Sequence, residues 1–220
     1  MRPLRCLPIL AGCLLLLPTA GASEITGQGK KLARALDEMP VKHRWLRGYI
    51  VEWESGKSIR KATDGRPHTH CSAFAASAAK RLGIYLLRPK GPDDPADVKG
   101  HPTKRLANAQ FDWLQGDQAK KLGWHEVHGP VEAQHKANQG YLVVASFKEE
   151  NAKKPGHIAI VRPSTRSEKS VETDGPEIMQ AGMTNVVATT LREGFEHHPH
   201  AWQTGRKVRF FYNTQTPKFP

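Results

Sequence analysis

Cys71 is the residue with the clearest chemical potential. It stands in Thr69-His70-Cys71-Ser72-Ala73-Phe74, after a polar loop with Gly65, Pro67 and His68 and before an alanine-rich run that Gly83 ends. Phe74, Ala75, Ala78 and Leu82 follow Cys71 by three, four, seven and eleven residues, so all five share one helix face. A thiol in the first turn of a helix lies beside free backbone amides and the positive end of the dipole, and both favour the thiolate. Nucleophilic cysteines are built this way. The plain rival is packing, because a lone cysteine also behaves as a small buried hydrophobe.

A nucleophilic thiol needs a base. Among eleven histidines, His157 has the best setting, following Pro155-Gly156 and opening the apolar run Ile158-Ala159-Ile160-Val161. A histidine at the mouth of a buried strand is held by the sheet while its ring stays at the edge, where the helix start can meet it. Thiolate and imidazolium would then stabilise each other. The imidazole in turn needs an orienting partner. Gln180, in Ile178-Met179-Gln180-Ala181-Gly182, is a candidate if its strand neighbours the histidine strand, and Asn185 competes with it.

A second constellation is His68, His70 and Cys71 with His197, His198 and His200. Imidazoles and a thiolate bind zinc, copper or nickel, so an exported metal-binding protein is a rival function from another class. His197-His198-Pro199-His200 lacks strict ligand spacing, however, and reads as an exposed loop. Of the tryptophans, Trp113 and Trp124 suit a core, whereas Trp53 and Trp202 lie in polar surroundings suited to a groove.

The elements that must position these residues divide into helices first and strands later. Helices are expected over Ser23 to Met39, from Cys71 to Gly83, over Thr103 to Leu114, over Asp117 to Leu122, and from Pro130 to about Asn138 with proline at the first helical position. Gly48 to Glu54 alternates weakly through Tyr49, Val51 and Trp53 and reads as a strand or a helix end, and Trp124 to Val127 reads as a short strand. Tyr141 to Phe147, His157 to Val161, Glu177 to Ala181, Asn185 to Thr190 and Lys207 to Tyr212 read as strands. Gly56 to His70, the proline-rich Arg88 to Pro102 and Arg162 to Gly175 read as loops, the second of them able to overhang the Cys71 side. The class is α+β with an antiparallel sheet.

Three stretches carry a family resemblance: Cys71-Ser72-Ala73-Phe74, Gly140-Tyr141-Leu142-Val143-Val144 and Gly156-His157-Ile158-Ala159-Ile160-Val161. Their order resembles the NlpC-type papain-like cysteine peptidases that cut peptidoglycan, and more loosely the CHAP amidases, over roughly Cys71 to Gly182. The resemblance implies a papain-like domain with the nucleophile helix packed on an antiparallel sheet. It makes Cys71 the nucleophile, His157 the base and Gln180 the orienting residue, with no cofactor. It also implies an oxyanion held by the Cys71 amide and a second donor, for which His70 and Tyr49 are candidates, with Trp53 near the substrate. This chain has His70 where the family commonly has Asp, and Gly140-Tyr141 where Gly-Asp is usual. Its stretch from the histidine strand to Gln180 is also longer.

Residues 1–22 read as a secretory signal peptide: Arg2 and Arg5, an apolar Cys6 to Leu17 too short to span a bilayer, and Ala20-Gly21-Ala22 before Ser23. Leu10-Ala11-Gly12-Cys13 matches a lipoprotein box but leaves Leu14 to Leu17 on the mature end. Residues 23–220 would form one domain. Cys6 and Cys13 leave with the leader, so Cys71 has no disulfide partner. Lys and Arg number 33 against 21 Asp and Glu, a net +12 that falls to +10 without Arg2 and Arg5. That excess suits a polyanionic surface such as cell wall, and no nucleic-acid motif accompanies it. The expectation is a secreted or periplasmic cysteine hydrolase of peptidoglycan amide bonds, with no stable membrane insertion. The alternative is a non-catalytic exported protein that binds metal or cell wall.

Overall fold

The structure, a computed structural model, describes residues 24–91, 106–151 and 154–219. The leader at 1–22, the loop residues 92–102 and the start of the helix expected from Thr103 lie outside the described residues.

The described residues form an α+β fold with antiparallel sheets and seven helices. In chain order they are α1 (Gly27–Asp37), β1 (Tyr49–Val51), β2 (Ser58–Lys61), α2 (Cys71–Arg81), α3 (Leu106–Leu114), α4 (Asp117–Lys121), β3 (Trp124–Val127) and α5 (Pro130–Asn138), followed by β4 (Val143–Phe147), β5 (His157–Val161), α6 (Glu168–Asp174), β6 (Glu177–Ala181), β7 (Asn185–Thr190), α7 (Leu191–Gly194) and β8 (Arg209–Asn213). Strands β1 and β2 make a separate hairpin. The main sheet has the order β3-β8-β4-β5-β6-β7.

Each face of the main sheet packs its own cluster. Along β5, Ile158 and Ile160 point into a cluster with Cys71, Phe74, Ala75, Ala78 and Leu82 of α2. The alternate residues Ala159 and Val161 point into a second cluster with Ala133 and Ala137 of α5, Leu191, Phe195 and Trp202. Burial on both faces explains why β4 and β5 read as continuous apolar runs rather than alternating ones. Trp202, expected to line a groove, is only 3 % exposed and belongs to this second core, because the Arg206 guanidinium lies over its ring.

Side-chain amides fasten α5 to the sheet. Gln134 donates to the Arg162 carbonyl and accepts from the Glu177 amide, so it bridges β5 and β6. Asn138 donates to the Ser164 carbonyl and accepts from the Ser164 amide. These bonds satisfy backbone groups that burial would otherwise leave costly.

Three elements were not expected: β2, α6 and the four-residue α7. Strand β2 falls in the stretch read as loop, because Ser58-Ile59-Arg60-Lys61 is mostly exposed and has no apolar alternation. Helix α6 falls in the polar stretch 162–175. Only Val171 of it is buried, and its start is set by the Ser167 side chain accepting from the Ser170 amide.

Candidate active site

Cys71 begins α2 where the sequence places it. Helix α2 sits against β5 and β6. The backbone amides of Ile158 in β5, of Ser72 and of Cys71 itself favour the thiolate at the Cys71 sulfur. The helix start packs on β5 beside Ile158, but the His157 ring, expected to meet it, lies on the opposite face of the sheet. Gln110 of α3 pins the same turn by donating to the Ser72 and Leu87 carbonyls.

His157 and Gln180 are brought together by the pairing of β5 with β6. The Gln180 amide nitrogen donates to the Thr184 carbonyl, which turns Oε1 toward the imidazole. His157 Nε2 donates to that oxygen at 2.7 Å. With its proton on Nε2, the neutral ring carries its lone pair on Nδ1. Gly194 permits this packing, since a side chain there would run into Gln180 Oε1 and Ile178. The competitor Asn185 is committed elsewhere: its amide donates to the carbonyls of Val41, Arg44 and Trp45.

The turn before His157 is equally constrained. The Gly156 amide donates to Asn108 Oδ1 at 2.8 Å, and a Cβ at Gly156 would collide with that oxygen and with the Phe147 carbonyl. Asn108 was not foreseen, because nothing in its sequence neighbourhood distinguishes it from a solvent-facing helix residue.

The structure does not close the last link. Among the described residues no hydrogen bond joins the Cys71 thiol to the His157 ring. The ring packs instead with the second cluster, edge-on to Phe195 at 4.6 Å and stacked on His198 at 5.7 Å between centroids. Burial pushes the Cys71 thiol up, against the pull of the three amides. Burial also pushes His157 down to about 4, with the Gln180 bond acting the other way. Both groups are neutral in this resting arrangement, which differs from the ion pair expected from the sequence. Desolvation is the physical reason: each is only 5 % exposed, and neither yet faces the opposite charge that would offset burial.

His70 and Tyr49 are together, but through the backbone of Tyr49. His70 Nε2 donates to the Tyr49 carbonyl at 2.9 Å, and burial lowers the ring's pKa. His70 thus ties the loop before Cys71 to β1, and this nitrogen is already occupied. Trp53 is half-buried against the α2 cluster, with Lys80 and Arg88 near its ring.

The chain matches no family model and no curated protein.

The histidine constellation is dispersed. His68 binds Asp64, His198 faces Glu149 at 3.8 Å, and His200 contacts Thr204. Among the described residues no three of His, Cys, Asp and Glu come together to hold a metal, and no helix is long and apolar enough to cross a membrane. Two pockets of about 310 Å³ each open beside β3 and β8, and neither is lined by Cys71, His157 or Gln180. The stacked His198 is the residue near the base that the sequence did not assign there. Its short spacing from His197 and His200 suggested a metal loop and gave no sign of β5.

Proposed function

We propose that this protein is an exported cysteine hydrolase of papain-like type that cleaves amide bonds in bacterial peptidoglycan. The observation that carries the reading is the His157–Gln180 pair on neighbouring strands, next to Ile158, which packs in one cluster with Cys71. Nucleophile, base and orienting amide occur in the order and on the elements that such chemistry uses. The resemblance of the three sequence stretches supports the substrate class. The leader read at 1–22 supports a secreted or periplasmic location, and the basic balance suits an acidic wall.

In the proposed reaction the β5 edge rearranges to bring His157 to the Cys71 side of the sheet, and Nδ1 takes the thiol's proton. The sulfur attacks the amide carbonyl, and the oxyanion forms at the amides of the first turn of α2. The C–N bond breaks as the imidazolium protonates the leaving amine. Water then cleaves the thioester, with His157 as base, and restores the thiol. Gln180 holds the ring's Nε2 proton in the resting arrangement and so selects the tautomer with Nδ1 free. No cofactor enters this scheme.

The test is a digest of purified peptidoglycan by the mature protein beside Cys71→Ala, read by mass spectrometry. Fragments from the wild type alone establish the hydrolase, and their masses separate a stem-peptide cut from a cut between stem and sugar. No fragments from either sink the peptidoglycan reading. The second reading, a non-catalytic exported binding protein, is favoured by one observation: the buried thiol is kept neutral and unbonded to the ring.

A further inference from the structure

We infer that the open edge of β2 is a docking strand for an extended acidic peptide. Strand β2 pairs with β1 alone, and the hairpin's two outer edges differ. On the β1 side the segment before the nucleophile closes in: His70 donates to the Tyr49 carbonyl, and the Gly48 amide donates to the Pro67 carbonyl. On the β2 side, none of Ser58, Ile59, Arg60 and Lys61 makes a backbone hydrogen bond outside the hairpin among the described residues. Unanswered amides and carbonyls along a strand are matched by another polypeptide backbone.

The side chains define the partner's charge. Arg47, Lys57, Arg60 and Lys61 are exposed and carry no ion pair among the described residues. The neighbouring acids are already used. Glu52 accepts from the Glu54 and Ser55 amides, Glu54 binds Lys80, and Asp64 binds Arg66 and His68. The edge therefore presents positive charge with no internal counter-charge. Ile59, at 65 % exposure, is the one exposed large hydrophobic side chain among the described residues. Basic groups flanking an apolar contact on an open edge fit a strand that mixes acidic and apolar residues. A nucleic acid or an anionic membrane would answer the cations but not the edge.

The hairpin is tied through Tyr49 of β1 to His70, the residue before Cys71, and the open edge of β2 lies across the hairpin from that tie. Calling the occupant a substrate rests on the hydrolase reading, whereas docking itself does not.

The experiment uses the mature Cys71→Ala protein, so binding is read without turnover. The probe is a fluorescent peptide of alternating Glu and Val, followed by anisotropy. Beside it stand its Lys counterpart, a version N-methylated on alternate residues, a single-stranded DNA oligonucleotide and phosphatidylglycerol vesicles. The acidic peptide is expected to bind, to weaken at least about tenfold with Arg60→Glu/Lys61→Glu, and to weaken comparably on N-methylation or in high salt. Arg206→Glu, on the far side of the sheet, should leave binding unchanged. Absent binding, or binding indifferent to both the charge reversal and N-methylation, overturns the proposal and leaves the charges as guards against self-pairing of the edge. DNA or vesicles binding in place of the peptide overturns it in favour of that other partner. If the double variant misfolds, the N-methylated peptide and the salt series still decide.

Discussion

Cys71 and His157 lie on opposite faces of the main sheet: the thiol packs with Ile158 and Ile160 under α2, and the imidazole lies on the side of Ala159 and Val161 against Phe195. The proposed chemistry therefore requires the sheet edge at His157 to rearrange, since turning the ring in place leaves it on the far face. Four predictions follow from this relationship and from the packing around it.

Cys71→Ala and His157→Ala should each lower peptidoglycan cleavage by about a thousandfold or more, since nucleophile and base act as a unit. Far-UV circular dichroism should show Cys71→Ala folded, because the change removes only a sulfur from an otherwise alanine-lined face. Retained cleavage in Cys71→Ala would remove the thiol from the chemistry.

Gln180→Leu should cut activity by about tenfold or more while leaving the fold, because the ring loses the acceptor that keeps its proton on Nε2. Asn185→Ala should act differently. It frees the carbonyls of Val41, Arg44 and Trp45 and should lower Tm more than it lowers the activity of the folded fraction. Thermal melts and kcat measured on the same preparations distinguish the two.

Alkylation of Cys71 by iodoacetamide at pH 7 should be slower than that of glutathione, since burial raises the thiol's pKa and shields the sulfur. Denaturant should accelerate it. A fast reaction in the native protein would mean that the ring already reaches the thiol in solution and that the ion pair is formed.

Acid should destabilise the fold. The folded pKa of His157, about 4, lies below its ordinary 6.5, so the unfolded chain takes up the proton first. The associated stability is complete above about pH 6.5 and falls as pH drops toward 4. His157 alone accounts for roughly 3 kcal/mol of that loss. His198 shifts in the same direction, through burial first and then the neighbouring His157. Melts between pH 4 and 8 should show this slope, and His157→Gln should flatten it. An equal slope in the variant would place the acid sensitivity elsewhere.

Much of the scaffold was legible because its signals are local. The spacing from Cys71 to Leu82 gave α2, Pro130 gave the start of α5, and the run after Gly156 gave β5 to the residue. Strand β2 was not legible because its residues bury almost nothing, so neither of its faces carries an apolar pattern. Helix α6 hid for a similar reason, with Val171 as its one buried residue. In the site, the Gln180 partnership could be read from strand order, since neighbouring strands place alternate residues side by side. The ring's packing against Phe195 and His198 could not, because it depends on how α7 and the loop after it fold back over the sheet.

The alanines of α2 have a role that their inertness conceals. The thiol belongs to one side of the sheet's packing and the imidazole to the other, so the gap between them is set by how deeply α2 seats on β5. Ala75 and Ala78, each at most 1 % exposed, are the shims in that seat. A methyl group added at either would lift the helix by a fraction of an ångström and retune the reactive pair without touching it. Sequence positions that look like filler thus act as the machine's tolerances, and a survey of variants for altered reactivity should begin there as well as at the thiol.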